Sequence, residues 1–597
     1  MSDSAVDFHD MIRKVYEENK SKKEGVQTNY DDHIEDLFHP DNIFNRSRNF
    51  PTIGNVNMAR GAAERISGTL TDLTDEESHL KAAKLLFLSQ ANAFQHRILM
   101  RLGSKLMKGT EADNTEETVT ARENLVFESF DKTLVMEKSG ELPATWSIVQ
   151  MSSPDFLVSR FRPLKAAQPL SSNPGLSLVR LCGGRARVAR CEAPPSSSSC
   201  PSFMQECSEI KERSTAVIKE FASAVKNDDK NKVKAANRAN YLTTRYNLEE
   251  RLRSLLQSIE DCWLGSEKAS LLGSLVSSED REKVRSVVRD CVTSYLGAAQ
   301  TDYLHHLLSA APFLSDQQLV QGLRRNLPHL EQEEIRRIVK TARVSLSGLA
   351  ESRRHPVILI LDAEVQSLPW ESLPSLRRCR QAVSRLPSLP FLYCLWAAHS
   401  HNDGSVVTSG LAQDNVYYVL NPDKSLKNTE EKIKSVLRQE SYSSWEGVVG
   451  EIPGKQQLSR ALQEKDCFLY CGHGSGSQYL SGDEIERLRV RGVPLLLGCS
   501  SGHLDRMGRT LDPLGISQSY LVATSPAILG FIWKVTDRDM GNWMELFLDH
   551  WLGGKPGGQT ELLQAVADKR EDFSRFFNSA ALVVYGLPIT ARRQSQN

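Results

Sequence analysis

The stretch CFLYCGHGSGSQYL, Cys467 to Leu480, and the stretch VPLLLGCSSGHL, Val493 to Leu504, share a pattern. Each runs through unbroken apolar residues and stops at a glycine beside a reactive side chain, His473 in the first and Cys499 in the second. Short, continuously apolar runs are the texture of strands buried on both faces, as in a parallel sheet covered by helices. PVILILD (Pro356–Asp362), NVYYVLNP (Asn415–Pro422) and PAILGFIW (Pro526–Trp533) repeat it. KQQLSRALQEK (Lys455–Lys465), DPLGISQSYLVAT (Asp512–Thr524) and DRDMGNWMELFLDHWL (Asp537–Leu552) carry helical spacing between or after them. Alternation of strand and helix predicts an α/β fold with a parallel sheet flanked by helices over the C-terminal third.

In an open α/β sheet, ligands and catalytic groups gather beyond the carboxyl ends of the strands. His473 and Cys499 both stand there, and the 474–492 segment is long enough for a crossover, so the two strands are expected as parallel neighbours. A histidine beside a cysteine takes up the thiol proton and stabilises the thiolate, which makes His473 the candidate general base and Cys499 the candidate nucleophile, with a lowered thiol pKa. Gly472, Gly474 and Gly476 permit positive φ and close approach of a substrate backbone. The amides of Gly474 and Cys499 are the candidate oxyanion hole. A metal is the competing chemistry: Cys471, His473, Cys499 and His503 are four ligands suited in type and number to tetrahedral zinc. Taken singly, a cysteine after a buried strand is an inert small hydrophobe and a histidine a hydrogen-bonded turn residue.

The rest of the chain sets bounds. Its 597 residues make room for about three or four domains. Equal numbers of basic and acidic residues, 74 of each, argue against gripping nucleic acid or anionic membrane through overall charge. The polar N-terminus lacks a secretory core, no run has the length of a spanning helix, and 11 scattered cysteines are unlike a disulfide scaffold. A soluble intracellular protein with reduced thiols is expected.

Residues 1–150 read as an N-terminal region that is largely helical, with a capping box at TDEE (Thr74–Glu77), a periodic face of Leu80, Phe87, Phe94, Ile98, Leu102 and Leu106, and short strands at ENLVFESF and TWSIVQMSS. The Pro/Ser/Gly-rich and basic texture of 151–207 predicts a disordered linker or insertion. Residues 208–350 read as helical: a hairpin turning at KNDDKNK, with Leu248, Leu252, Leu255, Ile259 and Trp263 in one apolar stripe, then further amphipathic helices.

YCGHGSGSQYL followed by LLLGCSSG, with an interval of 26 from 473 to 499, resembles the caspase-related cysteine peptidases. LPWESLPSL (Leu368–Leu376), VYYVLNP (Val416–Pro422), WEGVVG (Trp445–Gly450) and WKVTDRD (Trp533–Asp539) resemble, within them, the C-terminal protease region of the separase family. That resemblance implies a caspase-like sheet, with an inactive half over 351–440, the active protease over 441–597, and an N-terminal region facing substrate. It implies that His473 and Cys499 cut the cohesin kleisin subunit after arginine in a Glu-x-x-Arg context, without cofactor or metal, so that sister chromatids part at anaphase. It further implies inhibition by securin, a cyclin-dependent kinase–cyclin B complex as a further partner, and a place in cytoplasm and nucleus. The alternative is a non-catalytic scaffold that holds securin or kleisin. Selectivity for arginine needs a carboxylate, and Asp537 and Asp539 are its candidates, with helix N-terminal acids as their plainer reading. Lys534 departs from the family, whose motif usually reads W-D-V-T-D. Several Glu-x-x-Arg strings in the chain itself, among them 250–253, 333–336, 351–354 and 484–487, match ordinary helix-surface pairs.

Overall fold

The computed structural model describes residues 63, 73, 75–90, 140–153, 175–192, 202–226, 231–505, 513–553 and 559–592. Phe94, Ile98, Leu102, Leu106 and ENLVFESF lie outside them. One sheet organises the protein. Its strands are β1 (Ser147–Ser152), β2 (Leu176–Cys182), β3 (Arg185–Cys191), β4 (Val357–Leu361), β5 (Val383–Leu386), β7 (Val416–Leu420), β8 (Glu446–Val449), β9 (Cys467–Cys471), β10 (Val493–Leu497), β11 (Ala527–Phe531) and β13 (Leu582–Gly586). Their order is β3-β2-β1-β4-β5-β13-β11-β10-β9-β7-β8. A small separate sheet joins β6 (Leu411–Ala412), β12 (Gln559–Glu561) and β14 (Thr590–Arg592). The apolar runs at 357, 416, 467, 493 and 527 all became strands. β4, β9, β10 and β11 are buried along their whole length, as runs without polar alternation require.

The main sheet is built of two parallel blocks. β1, β4, β5 and β13 run side by side in one direction. β11, β10, β9, β7 and β8 form the other. The seam between them is the antiparallel pair β11–β13, with Leu529 opposite Val584. This corrects the division at residue 440. β7 is drawn from the segment assigned to the inactive half, yet it pairs with β9 and β8, inside the block that carries His473 and Cys499. Local texture cannot reveal such an exchange, because the partner of a strand is a non-local choice.

A second correction concerns the linker. Residues 176–191 are not disordered: β2 and β3 form an antiparallel hairpin, and β2 pairs in turn with β1. The turn is Gly183-Gly184, with φ of 55° and 79°, the left-handed conformation that tight hairpin turns need and glycine adopts without cost. Leu176, Leu178, Val179 and Leu181 are buried. Their apolar signal is short and is surrounded by Pro, Ser and Arg, which masks it in any window average. Residues 154–174 and 193–201 lie outside the described residues.

The helices follow the sequence more closely. α1 (Glu76–Leu88) is capped by Asp75, whose carboxylate accepts from the Ser78 amide at 3.0 Å, one residue later than the capping box at Thr74 predicts. α2 (Phe203–Lys226) and α3 (Asn231–Ser258) pack together as the expected hairpin, with Phe221 stacked on Tyr241 at 4.5 Å. The stripe from Leu248 to Trp263 is buried against the core. α4 (Ser278–Cys291), α5 (Ala298–Ser309), α6 (Asp316–Asn326) and α7 (Gln332–Ser345) complete this helical layer.

In the C-terminal part α8 (Leu389–Ser400), α9 (Lys427–Leu437), α10 (Lys455–Glu464) and α11 (Asp537–Trp551) cover the sheet. Glu371 of the LPWESL segment is buried and forks onto Arg385 of β5 at 2.6 and 2.7 Å, so that segment serves to anchor a loop to the sheet. No described helix is long and apolar enough to cross a membrane.

Candidate active site

β9 and β10 are parallel neighbours in register, with Cys471 opposite Leu497. His473 and Cys499 each lie two residues past that pair, on the same rim of the sheet. Between the pair and each candidate residue stand Gly472 and Gly498. A Cβ on Gly498 would fall 1.9 Å from the carbonyl oxygen of Gly474 and 2.6 Å from that of Gly472, so the two loops touch through bare backbone. Only glycine permits this approach, and it brings the chain flanking Cys499 against the chain flanking His473.

The His473 loop is tied from beneath. Tyr470, at the end of β9, donates its hydroxyl to the His473 carbonyl at 2.8 Å, and the Gln478 amide donates to the same oxygen at 3.2 Å. Gly474 and Gly476 have φ of 64° and 79°, so the turn between them needs residues without a Cβ. The Cys499 turn is held as firmly: Ser501 donates to the Leu496 carbonyl, and Ser500 has a φ of 59° with its amide donating to Trp533 at 3.2 Å. A non-glycine residue held in the left-handed region beside a reactive group is a cost that surrounding contacts sustain.

The side chains of the pair face different partners. Cys499 donates its thiol to the Val535 carbonyl at 3.2 Å. Burial pushes that thiol up, Asp537 adds to the shift, and the Val535 contact and Lys534 oppose it without reversing it. The lowered thiol pKa expected from a neighbouring histidine is therefore not the state described; desolvation dominates it. His473 is more exposed, and its Nε2 lies 2.8 Å from Ser425 Oγ and 3.6 Å from a carboxylate oxygen of Asp423. Ser425 in turn donates to Asp423 at 3.0 Å. With Ser425 donating its proton to Asp423, its oxygen accepts from Nε2–H, and Nδ1 of His473 keeps its lone pair.

Asp423 and Ser425 went unnoticed in the sequence. They lie just beyond β7, another strand of the same parallel block, so the rule that placed His473 and Cys499 at strand ends applies equally to them. Val535 follows β11 on that rim as well. Four consecutive parallel strands thus bring residues to one rim of the sheet.

The two candidate pocket acids part company. Asp539 is 4% exposed: one oxygen accepts from the Ser574 amide and hydroxyl at 2.8 and 2.6 Å, and the other from the Asn578 amide at 2.8 Å. It joins α11 to the 574–578 segment. Asp537 is half-buried at the first turn of α11, accepts from the Thr429 hydroxyl of α9, and is close enough to Cys499 for its charge to act there.

The zinc reading does not survive the geometry. Among the described residues no group of three or more His, Cys, Asp and Glu side chains is gathered as metal ligands would be. His503 turns away to the Ile532 carbonyl at 3.1 Å and to Asp505 at 3.4 Å, and Cys471 is buried in the strand. The Glu-x-x-Arg strings behave as surface pairs or buried residues: Glu250–Arg253 and Glu333–Arg336 are ion pairs within α3 and α7, and Arg354 is buried.

Comparison with known proteins bears on the same region. Residues 195–540, over half of the chain, match the family described as "Separin, protease domain". The separin of Mus musculus is 34% identical over 379 residues, 63% of this chain and 17% of the mouse protein. The separin of Saccharomyces cerevisiae is 27% identical over 424 residues, 64% of this chain and 25% of the yeast protein. The chain thus spans a quarter or less of the length of these relatives. In a crystal structure of the Saccharomyces cerevisiae separase–securin complex, a chain superposes with a TM-score of 0.58 at 22% identity, covering 90% of this chain and 37% of that one, which shows a shared fold. With the family's match running through β4, β9, β10 and β11 and taking in both His473 and Cys499, the chain belongs to the separin protease-domain family.

Proposed function

We propose that the protein is a cysteine endopeptidase that cuts the kleisin subunit of cohesin after arginine in Glu-x-x-Arg sequences, allowing sister chromatids to separate. The observation that carries this reading is the matched placement of His473 and Cys499 beyond adjoining strands in register. In the proposed reaction, Nδ1 of His473 takes the thiol proton as Sγ of Cys499 bonds to the scissile carbonyl carbon. The amides of Gly474 and Cys499 receive the negative charge on oxygen. The carbon–nitrogen bond then breaks, the imidazolium returns its proton to the leaving amine, and water releases the thioester. Ser425 and Asp423 hold the imidazole in the tautomer that this sequence needs.

For the arginine side chain we favour Asp537, since its charge already acts on Cys499, whereas both oxygens of Asp539 are engaged internally. By analogy with the complexes to which the chain is similar in fold, a securin-type inhibitor occupies the same crevice. Regulation by a cyclin-dependent kinase–cyclin B complex and action in cytoplasm and nucleus belong to the same proposal.

A second reading, a scaffold that binds kleisin or securin without cutting, draws support from the resting thiol, which is protonated and turned to Val535. One assay separates the two. Purified chain is incubated with a kleisin peptide containing Glu-x-x-Arg: a peptidase yields product that Cys499→Ser abolishes, whereas a scaffold binds in both forms and yields none.

A further inference from the structure

A second cavity lies at the other end of the sheet. It is enclosed by α1, the β2–β3 hairpin, α4 and α5, and has a volume of about 840 Å³. That is the size range of small-molecule sites. Leu80, Ala186, Leu275 and Val284 give it apolar walls, and Arg180 of β2 lines it.

Arg180 is 7% exposed. Its guanidinium donates twice to Ser147 Oγ, at 3.2 and 3.0 Å, and faces Nδ1 of His306 at 3.4 Å. His306 gives its Nε2 proton to the Ala269 carbonyl at 2.8 Å, and burial holds the ring neutral, so Nδ1 is an acceptor and brings no charge. Among the described residues no carboxylate pairs with Arg180. Its neighbours Arg187 and Arg185 are neutralised, by Glu267 and Asp302 respectively. A buried guanidinium with only neutral partners is costly, and an anion entering beside it would relieve that cost.

We propose that this cavity binds a small amphipathic carboxylate, its anionic end on Arg180 and its apolar body along Leu80, Leu275 and Val284. A monoanion fits better than a phosphate dianion: among the described lining residues Arg180 is the buried cation without a carboxylate, Arg185 and Arg187 are already paired, Arg281 and Arg285 are exposed at the rim, and Glu76 at the wall repels further negative charge. The site stands apart from the peptidase reading and does not depend on it.

The test uses calorimetric titration of the full chain with decanoate and, in parallel, with decanamide, which has the same tail and no charge. Decanoate is expected to bind at least tenfold more tightly. Arg180→Met, which keeps the length of the side chain, is expected to erase that preference, and Val284→Trp, which fills the cavity, to abolish binding of both. Equal affinity for the two probes in the wild-type chain, or binding of neither, overturns the proposal without reliance on any variant. So does a charge preference that persists in a folded Arg180→Met.

Discussion

His473 and Cys499 hold equivalent positions on neighbouring strands, yet at rest each is engaged elsewhere: Nε2 of the imidazole lies 2.8 Å from Ser425 Oγ, and the thiol donates to Val535 at 3.2 Å. The pair is positioned by the sheet and not yet coupled. Burial favours the neutral thiol, so the fraction of thiolate is small at neutral pH and grows only as pH rises past the ordinary thiol range of about 8.5. Alkylation of Cys499 by iodoacetamide should therefore be slow at pH 7 and climb steeply above pH 9. Lys534→Asp, which exchanges a charge that lowers the thiol pKa for one that raises it, should shift that climb to higher pH. A rate already at its plateau at pH 7 would mean that His473 and Cys499 are coupled in the free protein.

Ser425 and Asp423 act, on this geometry, through the orientation of His473. Ser425→Ala and Asp423→Asn should each lower kcat about tenfold or more while leaving KM and the melting temperature close to the wild-type values, because the serine hydroxyl and the carboxylate are exposed and touch no part of the core. Ser425→Thr, which retains the hydroxyl, should recover part of the rate. A rise in KM alone would assign these residues to substrate binding instead.

Gly498→Ala places a methyl group where the Gly474 carbonyl stands. The loops must separate to admit it, at an expected cost of about 1–3 kcal/mol in denaturant unfolding, with loss of peptidase activity. Gly454→Ala, where the added carbon meets nothing within 4 Å, is the control and should leave both unchanged.

Glu334 offers a test of the helical layer. Burial alone would raise its carboxyl, but the Ser294 hydroxyl and the amides of Glu331, Thr293 and Ser294 outweigh that and hold it down to about 2. An acid whose pKa is lower folded than unfolded contributes its full stability above the unfolded value, near 4.3, and loses it as pH falls to the folded one. The melting temperature should decline between about pH 5 and pH 2, and Glu334→Gln should flatten that slope while costing about 1–3 kcal/mol at neutral pH. An unchanged slope would show that the network does not hold the charge.

Much of the protease block was legible because its strands announce themselves. Runs such as VILIL and VPLLL have no polar face to hide, and the glycines after β9 and β10 mark where each strand must stop. The sheet order was not legible. LVVYG at 582–586 is as apolar as its neighbours, but nothing in it says that it lies between β5 and β11, antiparallel to the latter. The hairpin at 176–191 was hidden for a different reason: its strands are short, arginine-rich on one face, and embedded in residues typical of loops. Asp423 and Ser425 were overlooked because polar residues after NP look like an ordinary turn until three other strand ends arrive beside them. Asp539 and Asp537 could not be separated in sequence, since two positions along one helical turn decide which acid meets the interior and which meets the rim.

β13 deserves a last consequence, since it is drawn from the final stretch of the described chain and stitches the two parallel blocks along the antiparallel seam. A ribosome delivers that stretch only after every other strand of this sheet. The blocks must consequently wait as unsealed halves, each exposing a raw strand margin, until residues 582–586 emerge and zip them; a nascent or truncated chain ending before residue 582 would present those margins to chaperones or to other copies of itself.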